Sequence, residues 1–457
     1  MSQAIRKKQL ITDFTVGSIP KQLTRFMLPF MGSNALQVVY SLVDMIIVGR
    51  FVGAAGLSAV SQASFIIMFS TAFAMGFSNG GQTLIGQLIG AGRRDDLSKA
   101  IGTLFTNTIL LSVIMALLTE LIYPVVLTII NIPPEAFDMA SDYVVITGIG
   151  LLFVCGYNSV ACVLRGMGDG RHPFIFILIS SVMNLTLDIL LTGVLGMGVR
   201  GAAYATTISQ AVSFMISVAF LVKNKKEFYF DFRFKSFRIT KGFFLTILRL
   251  GIPMALMSSA VIISMMVCNS FVNQVGVIAS ATFGIGLKID DIANRLSQGI
   301  QFAESPMVAQ NMGAGKDKRC RSIVYWSLLM TAIIFVIFTV ILKTVGVQLF
   351  ALFTDDAEVL DLAPVFIAAI VWGFPGSVMM RAGNGFLQGC GAGKMIIFAS
   401  LMDGLLRAVL GYLIGIVGGM GFFGFVLGFG LAQYGCGLPG LIYFAFANWK
   451  DKRVIGD

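Results

Sequence analysis

Ser33, Gln37, Tyr40 and Asp44 stand at spacings of 4, 3 and 4 inside one long apolar stretch, which puts all four on a single helical face. Ser181, Asn184 and Asp188 repeat the pattern in a second stretch, and Thr206 lies in the stretch that follows. An ionisable side chain in an apolar span costs about 3 kcal/mol to insert, so each is a functional candidate by default. Counted at 1.5 Å per residue from the outer ends of their spans, Asp44 lies ~13 Å, Asp188 ~9 Å and Thr206 ~12 Å deep. Two carboxylates at matched depth in a low-dielectric pocket cannot both stay ionised cheaply, so the pair is expected to hold a proton or a monovalent cation. Asn184, Thr206 and Tyr40 supply the neutral donors and acceptors that such a site needs. The plainer alternative is that each Asp only bonds a neighbouring helix.

A second set of charges behaves differently. Lys288, Asp290, Asp291, Arg295 and Glu304 share one span, and the spacings of Lys288 with Asp291 and of Asp291 with Arg295 suit ion pairs. Glu304 has no evident partner in its own helix, so it either lines a central cavity or sits in water at the inner end of the span. Gln37, Asn158, Glu304, Arg381 and Arg407 are the candidates for lining a substrate cavity.

These residues have to be positioned by membrane helices. The 457-residue chain is 56% hydrophobic and 12% charged, against roughly 25% charged for a soluble domain. A water-soluble enzyme is excluded. Twelve candidate spans of about 20 apolar residues start near residues 21, 54, 97, 138, 172, 198, 241, 276, 321, 360, 394 and 421. The net charge of +10 would suit nucleic acid if it lay on one folded face. Instead the Lys and Arg residues fall in alternate loops, where they read as cytoplasmic retention. Arg6, Lys7, Lys8, Lys21 and Arg25 precede the first span, and Lys450, Lys452 and Arg453 follow the last. Both termini are therefore expected in the cytoplasm, with acidic Glu135, Asp138, Asp142, Asp355, Asp356, Glu358 and Asp361 on outer loops. Residues 1–20 read as a retained basic interfacial helix, because no Ala-x-Ala cleavage pattern follows them.

The two halves are similar to one another. An offset of 223 holds without a gap from Gln87 to Gln210, matching Gln87, Gly90, Ala91 and Gly92 to Gln310, Gly313, Ala314 and Gly315. Gly166, Gly168 and Gly170 match Gly389, Gly391 and Gly393 in the same register, and at offset 224 Pro29 meets Pro253. Parallel repeats separated by an even number of spans are a transporter arrangement with a central substrate site. The expected fold is an all-α membrane protein of twelve transmembrane helices in two six-helix lobes. The lobes are residues 1–222 and 242–457, joined by a basic linker at 223–241. The chemistry is not duplicated: Asn158, Asn184 and Asp188 map onto Arg381, Arg407 and Gly411, and Asp44 onto Cys268.

Other chemistry is poorly supported. The glycine-rich loops at 90–96, 166–173 and 389–394 lack the preceding strand of a phosphate cradle and read as tight turns. One His, His172, and six scattered Cys do not make a metal or disulfide framework, and Cys155 and Cys162 read as small packing residues. No cofactor is expected beyond H⁺ or Na⁺ as a coupling ion.

LPF and YSLVDMIIVGR in the first span, GQLIGAG and its copy AQNMGAG, LRGMGDGRHP, MNLTLD and GAAYATTISQ occur in an order and spacing that resembles the multidrug and toxin extrusion family, bacterial type. The resemblance covers essentially the whole chain. It implies twelve helices in two lobes and a proton or sodium site in the first lobe, at the positions matched by Asp44, Asn184, Asp188 and Thr206, with Tyr40 and Asn158 beside them. It also implies export of organic-cation or other amphipathic drugs. One departure stands out. Members of the sodium-driven branch carry acids in spans seven and ten, whereas here span seven has none and span ten has Arg381. Proton coupling is therefore favoured over sodium, and protonation is expected to bend span one near Pro29.

The leading expectation is a cation-coupled antiporter in the plasma membrane, monomeric, with a small amphipathic substrate and the lipid bilayer as its partners and no nucleic acid. The alternative is a lipid-linked saccharide flippase of the same superfamily, which calls for several cleft Arg and Lys where only Arg381 and Arg407 are available. An intramembrane enzyme lacks convergent catalytic groups, and a channel lacks a filter or rings of charge.

Overall fold

The structure, a computed structural model, describes residues 11–129, 132–450 and 453–454. Long apolar runs punctuated by glycine turns produce helix after helix. They are α1 (Ile19–Phe51), α2 (Ala54–Gly90), α3 (Arg94–Ile129), α4 (Pro134–Gly166), α5 (Arg171–Asp188), α6 (Gly198–Lys223) and α7 (Lys241–Val275). Then come α8 (Val277–Gly313), α9 (Asp317–Ala351), α10 (Ala357–Ile370), α11 (Phe374–Cys390), α12 (Gly393–Leu410), α13 (Gly421–Leu431) and α14 (Gln433–Phe446). A π-helical turn, Ile189–Val194, prolongs α5, another at Gly411–Val417 prolongs α12, and a 3₁₀ turn at Val371–Gly373 joins α10 to α11. α13 runs on into α14 across Ala432, so that among the described residues the helices form twelve rods in the order of the twelve expected spans, and no strand occurs. Ten rods are long and apolar enough to cross a membrane among the described residues; α7 and the charge-bearing α8 are the other two.

Large apolar side chains point outward along these rods, with Leu117, Leu121 and Val125 on α3 and Val336, Ile337 and Val340 on α9 all exposed. Hydrocarbon, not water, is the solvent for such a surface. The fold is an all-α, multi-pass membrane protein.

The repeat reappears in the backbone. Gly53, Gly92, Gly168, Gly196 and Gly198 adopt positive φ, and so do Gly276, Gly315, Gly391, Gly419 and Gly421, each 223 residues further on. A positive φ at each of these matched positions is a conformation that glycine alone takes without penalty. The π turns obey the register as well: one begins just after Asp188 and the other at its counterpart Gly411.

The chain packs into two compact units. Among the described residues, unit one comprises 11–13 and 32–255, and unit two comprises 14–31 with 256–450 and 453–454. The divisions inside α1 and α7 each fall two residues beyond a repeat-matched proline, Pro29 and Pro253. The halves 1–222 and 242–457 describe the sequence repeat, whereas the packing units exchange the starts of these two helices. The basic 223–241 segment lies wholly in unit one and is not a bare tether. Its Phe228 and Phe230 are buried, Phe230 packs on Phe105 of α3, and Thr106 donates to the Phe237 carbonyl over 2.6 Å.

The expected interfacial helix at 1–20 is corrected for the residues that can be described. Residues 11–18 are turns and bends, and α1 begins at Ile19. Inside unit two the turn at Phe14–Gly17 is held by side chains rather than by a helix of its own. Phe14 N–H donates to Gln310 Oε1 over 3.0 Å, while Asn311 and Arg319 donate to the Phe14 carbonyl and Lys316 to the Thr15 carbonyl. Backbone groups satisfied in this way have no need of a helical ladder. Residues 1–10, with Arg6, Lys7 and Lys8, and Lys452 lie outside the described residues.

Candidate functional site

Unit one brings the first set of polar residues together. Asp44 is partly buried on α1, and Asp188, 1% exposed, closes the last α-helical turn of α5 where the π turn begins. A π turn inserts one residue into the helix and re-aims the side chains around it, which is why such turns concentrate at functional sites. The Asp44 and Asp188 carboxyls lie beside one another. Among the described residues no donor meets either oxygen of Asp188, or Oδ1 of Asp44, at hydrogen-bonding geometry.

Around this pair stands a ring of neutral groups. Asn184, one turn before Asp188, donates from Nδ2 to Thr206 Oγ1 on α6 over 3.5 Å. The hydroxyl of Tyr143, buried on α4, lies near Thr206, Ser64 of α2, Asp44 and Tyr40. Asp44, Tyr40, Asn184, Asp188 and Thr206 therefore share one neighbourhood built by α1, α4, α5 and α6. Tyr143 and Ser64 are not among the residues that sequence reasoning selects. Tyr143 directly follows the outer acid Asp142 and opens a run of aliphatic side chains, and nothing in that pattern separates a site hydroxyl from an ordinary aromatic.

Two further candidates of unit one stand apart. Asn158 donates back to the Val154 carbonyl of its own helix over 2.8 Å, and Gln37 is half-buried two turns before Asp44. The glycine-rich loops are turns as expected, and His172 at the second of them accepts or donates at 2.5 Å to Asp169 and stacks on Phe220. All six cysteines are buried and unbridged.

The counterpart region of unit two is charged but internally balanced. Arg407 of α12 is bonded to Asp403 one turn earlier over 3.0 and 3.4 Å, both side chains almost fully buried, and its guanidinium lies 4.5 Å from the centre of the Phe429 ring. Asp403 is absent from the sequence-derived candidates, although an Asp four residues before an Arg is the signal of such a pair. Arg381 of α11 donates to Asn294 Oδ1 over 3.0 Å and to Gln301 Oε1 over 3.4 Å, and Asn294 in turn donates to Asp290 over 2.8 Å. Of the two ion pairs expected on α8, Asp291 with Arg295 forms; Lys288 makes none among the described residues. Glu304 is fully enclosed among α8, α9 and α11.

Comparison with known proteins follows the same lines. The family model described as MatE matches residues 29–190 and again 253–413, so the repeat is matched once per half. The chain is 27% identical to the probable multidrug resistance protein YpnP of Bacillus subtilis (strain 168) over 450 residues, covering 97% of this chain and 98% of that one. It is 23% identical to the multidrug export protein MepA of Staphylococcus aureus (strain MW2), covering 88% of each. Among solved structures, an outward-facing multidrug resistance MATE family transporter of the MOP superfamily superposes with a TM-score of 0.89 at 21% identity, covering 96% of this chain and 97% of that one.

Proposed function

Because the chain belongs to the MatE family, we propose that it is a cation-coupled antiporter that exports amphipathic drugs or other xenobiotics across the plasma membrane, with both termini in the cytoplasm. The observation that carries this reading is the Asp44–Asp188 pair, side by side and short of donors inside an apolar unit. A buried carboxylate without a partner is costly, and a proton or cation placed between the two removes that cost. The site is thus two-state by construction. With the ion present the pair is satisfied; without it the carboxylates repel or draw water in, and the helices bearing them shift.

Proton coupling is favoured over sodium. Sodium needs several oxygens converging at once, and of the neutral oxygens nearby Thr206 Oγ1 already accepts from Asn184 Nδ2. A proton asks only for the carboxyl pair. The names of the similar proteins, multidrug resistance and multidrug export, support an amphipathic substrate class.

The flippase reading is less well supported, because it calls for free cationic side chains toward a lipid pyrophosphate. Arg407 is bonded to Asp403, and Arg381 to Asn294 and Gln301. Purified protein in liposomes, given an imposed pH gradient and a small panel of cationic and zwitterionic dyes, separates the two. Gradient-driven dye movement supports the antiporter. Scrambling of a lipid-linked saccharide without dye movement overturns it.

A further inference from the structure

Glu304 is a further enclosed carboxyl, in the other unit and unused by the site above. It is 0% exposed, and among the described residues no donor meets either of its oxygens at hydrogen-bonding geometry. A Cβ placed on Gly385 of α11 would come 2.4 Å from Oε2, so the carboxyl rests directly on that glycine's backbone. The hydroxyl of Ser327 on α9, likewise buried and unbonded, lies beside it. We propose that Glu304, seated on Gly385 and beside Ser327, is a second proton-binding site of this protein, housed wholly in unit two and separate from Asp44 and Asp188.

The repeat makes the arrangement legible. At offset 223 Glu304 corresponds to Gly81, Ser327 to Leu104 and Gly385 to Cys162. In unit one a Cβ on Gly81 would come 2.5 Å from Leu104, so the leucine fills the space above a glycine of α2. In unit two the fill comes from α8 instead: an acid takes the glycine's place, a small hydroxyl replaces the leucine, and α11 supplies the glycine. An apolar side chain would fill that space equally well, so the acid is not explained by volume.

The groups around it narrow the occupant. α8 packs against α9, α10 and α11. From α9 Ser327 lies beside the carboxyl and from α11 the Gly385 backbone does, while Arg381, one turn from Gly385, is bonded to Gln301 and Asn294. The acids of α10, Glu358 and Asp361, lie at the far end of the α10–α11 rod, and on α8 itself Asp290 and Asn294 are bonded to each other. No cationic side chain meets the Glu304 carboxyl among the described residues, and the carboxyl is packed directly on the Gly385 backbone. A proton needs no volume. Carried on Glu304, it donates to Ser327 Oγ, and it leaves when α9 or α11 moves off α8 and admits water.

The test uses detergent-purified full-length protein carrying Asp44→Asn and Asp188→Asn, with and without Glu304→Gln, and reads the carboxyl C=O stretch by infrared spectroscopy in H₂O and D₂O. The expected result is a protonated-carboxyl band that shifts on exchange into D₂O and is lost with Glu304→Gln. Ser327→Ala, which removes only the hydroxyl, should move the same band while leaving it present, and it serves if Glu304→Gln fails to fold. A spectrum in which neither substitution changes the band, or one in which Glu304 is ionised, overturns the proposal. In proteoliposomes with Asp44 and Asp188 intact, Glu304→Gln should shift the pH of half-maximal efflux; an unchanged profile overturns the exchangeable site even if the band is present.

Discussion

Replacing Asp188 or Asp44 with Asn keeps the shape of the side chain and removes one charge from a buried pair that is short of donors. Burial becomes easier, so each variant should express and fold like the wild type while coupled export is lost, read as dye efflux beside a thermal melt. Wild-type efflux in either would remove the site. Tyr143→Phe deletes the hydroxyl that lies near Ser64 and Thr206; a hydrogen bond worth about 1 kcal/mol corresponds to roughly fivefold slower export. Equal rates would place Tyr143 outside the site. Asp403→Ala strands the buried Arg407 guanidinium and should cost about 3–5 kcal/mol of stability, visible as a lowered melting temperature in detergent. Asp44, Asn184 and Asp188 were legible in the sequence because acids and amides are rare in apolar spans, and Thr206 because it lies at the same depth in the next span. Tyr143 was not, since a tyrosine looks the same whether its hydroxyl meets a carboxylate or nothing.

Helices were legible to within a few residues because apolar length and glycine turns are local properties. The π turns after Asp188 and at Gly411 were not, because one inserted residue leaves the apolar pattern unchanged, and the turn at 14–17 depends on side chains some 300 positions away. Glycine contacts supply the test at this scale. A Cβ on Gly411, the counterpart of Asp188, would meet Phe271 at an ordinary 3.6 Å, whereas one on Gly424 would meet the Gly415 backbone at 2.7 Å, where α13 crosses the π turn. Gly411→Ala should therefore be mild in both stability and coupling, and Gly424→Ala should cost about 1–3 kcal/mol of stability. Equal effects of the two on the melting temperature would mean that the crossing is looser than described.

Across the whole chain, the 223-residue register is legible in the amino-acid sequence by itself, because glycines at matched turns survive where chemistry does not. The structure extends it to five pairs of left-handed glycines and two π turns. What the sequence could not show is that the packing units divide inside α1 and α7, just past Pro29 and Pro253. A proline removes a backbone hydrogen bond and weakens its helix there, which makes these the places where α1 and α7 can bend. The repeat is symmetric in backbone and asymmetric in charge: a donor-poor acid pair in unit one, balanced Arg–Asp pairing in unit two. Ion coupling through Asp44 and Asp188 is the central claim. It is tested most directly by substrate efflux from proteoliposomes at clamped internal and external pH with sodium alone varied, and then with the pH gradient varied at fixed sodium. Efflux that follows the proton gradient and ignores sodium is the predicted result; a steep sodium dependence with no response to the proton gradient would contradict it.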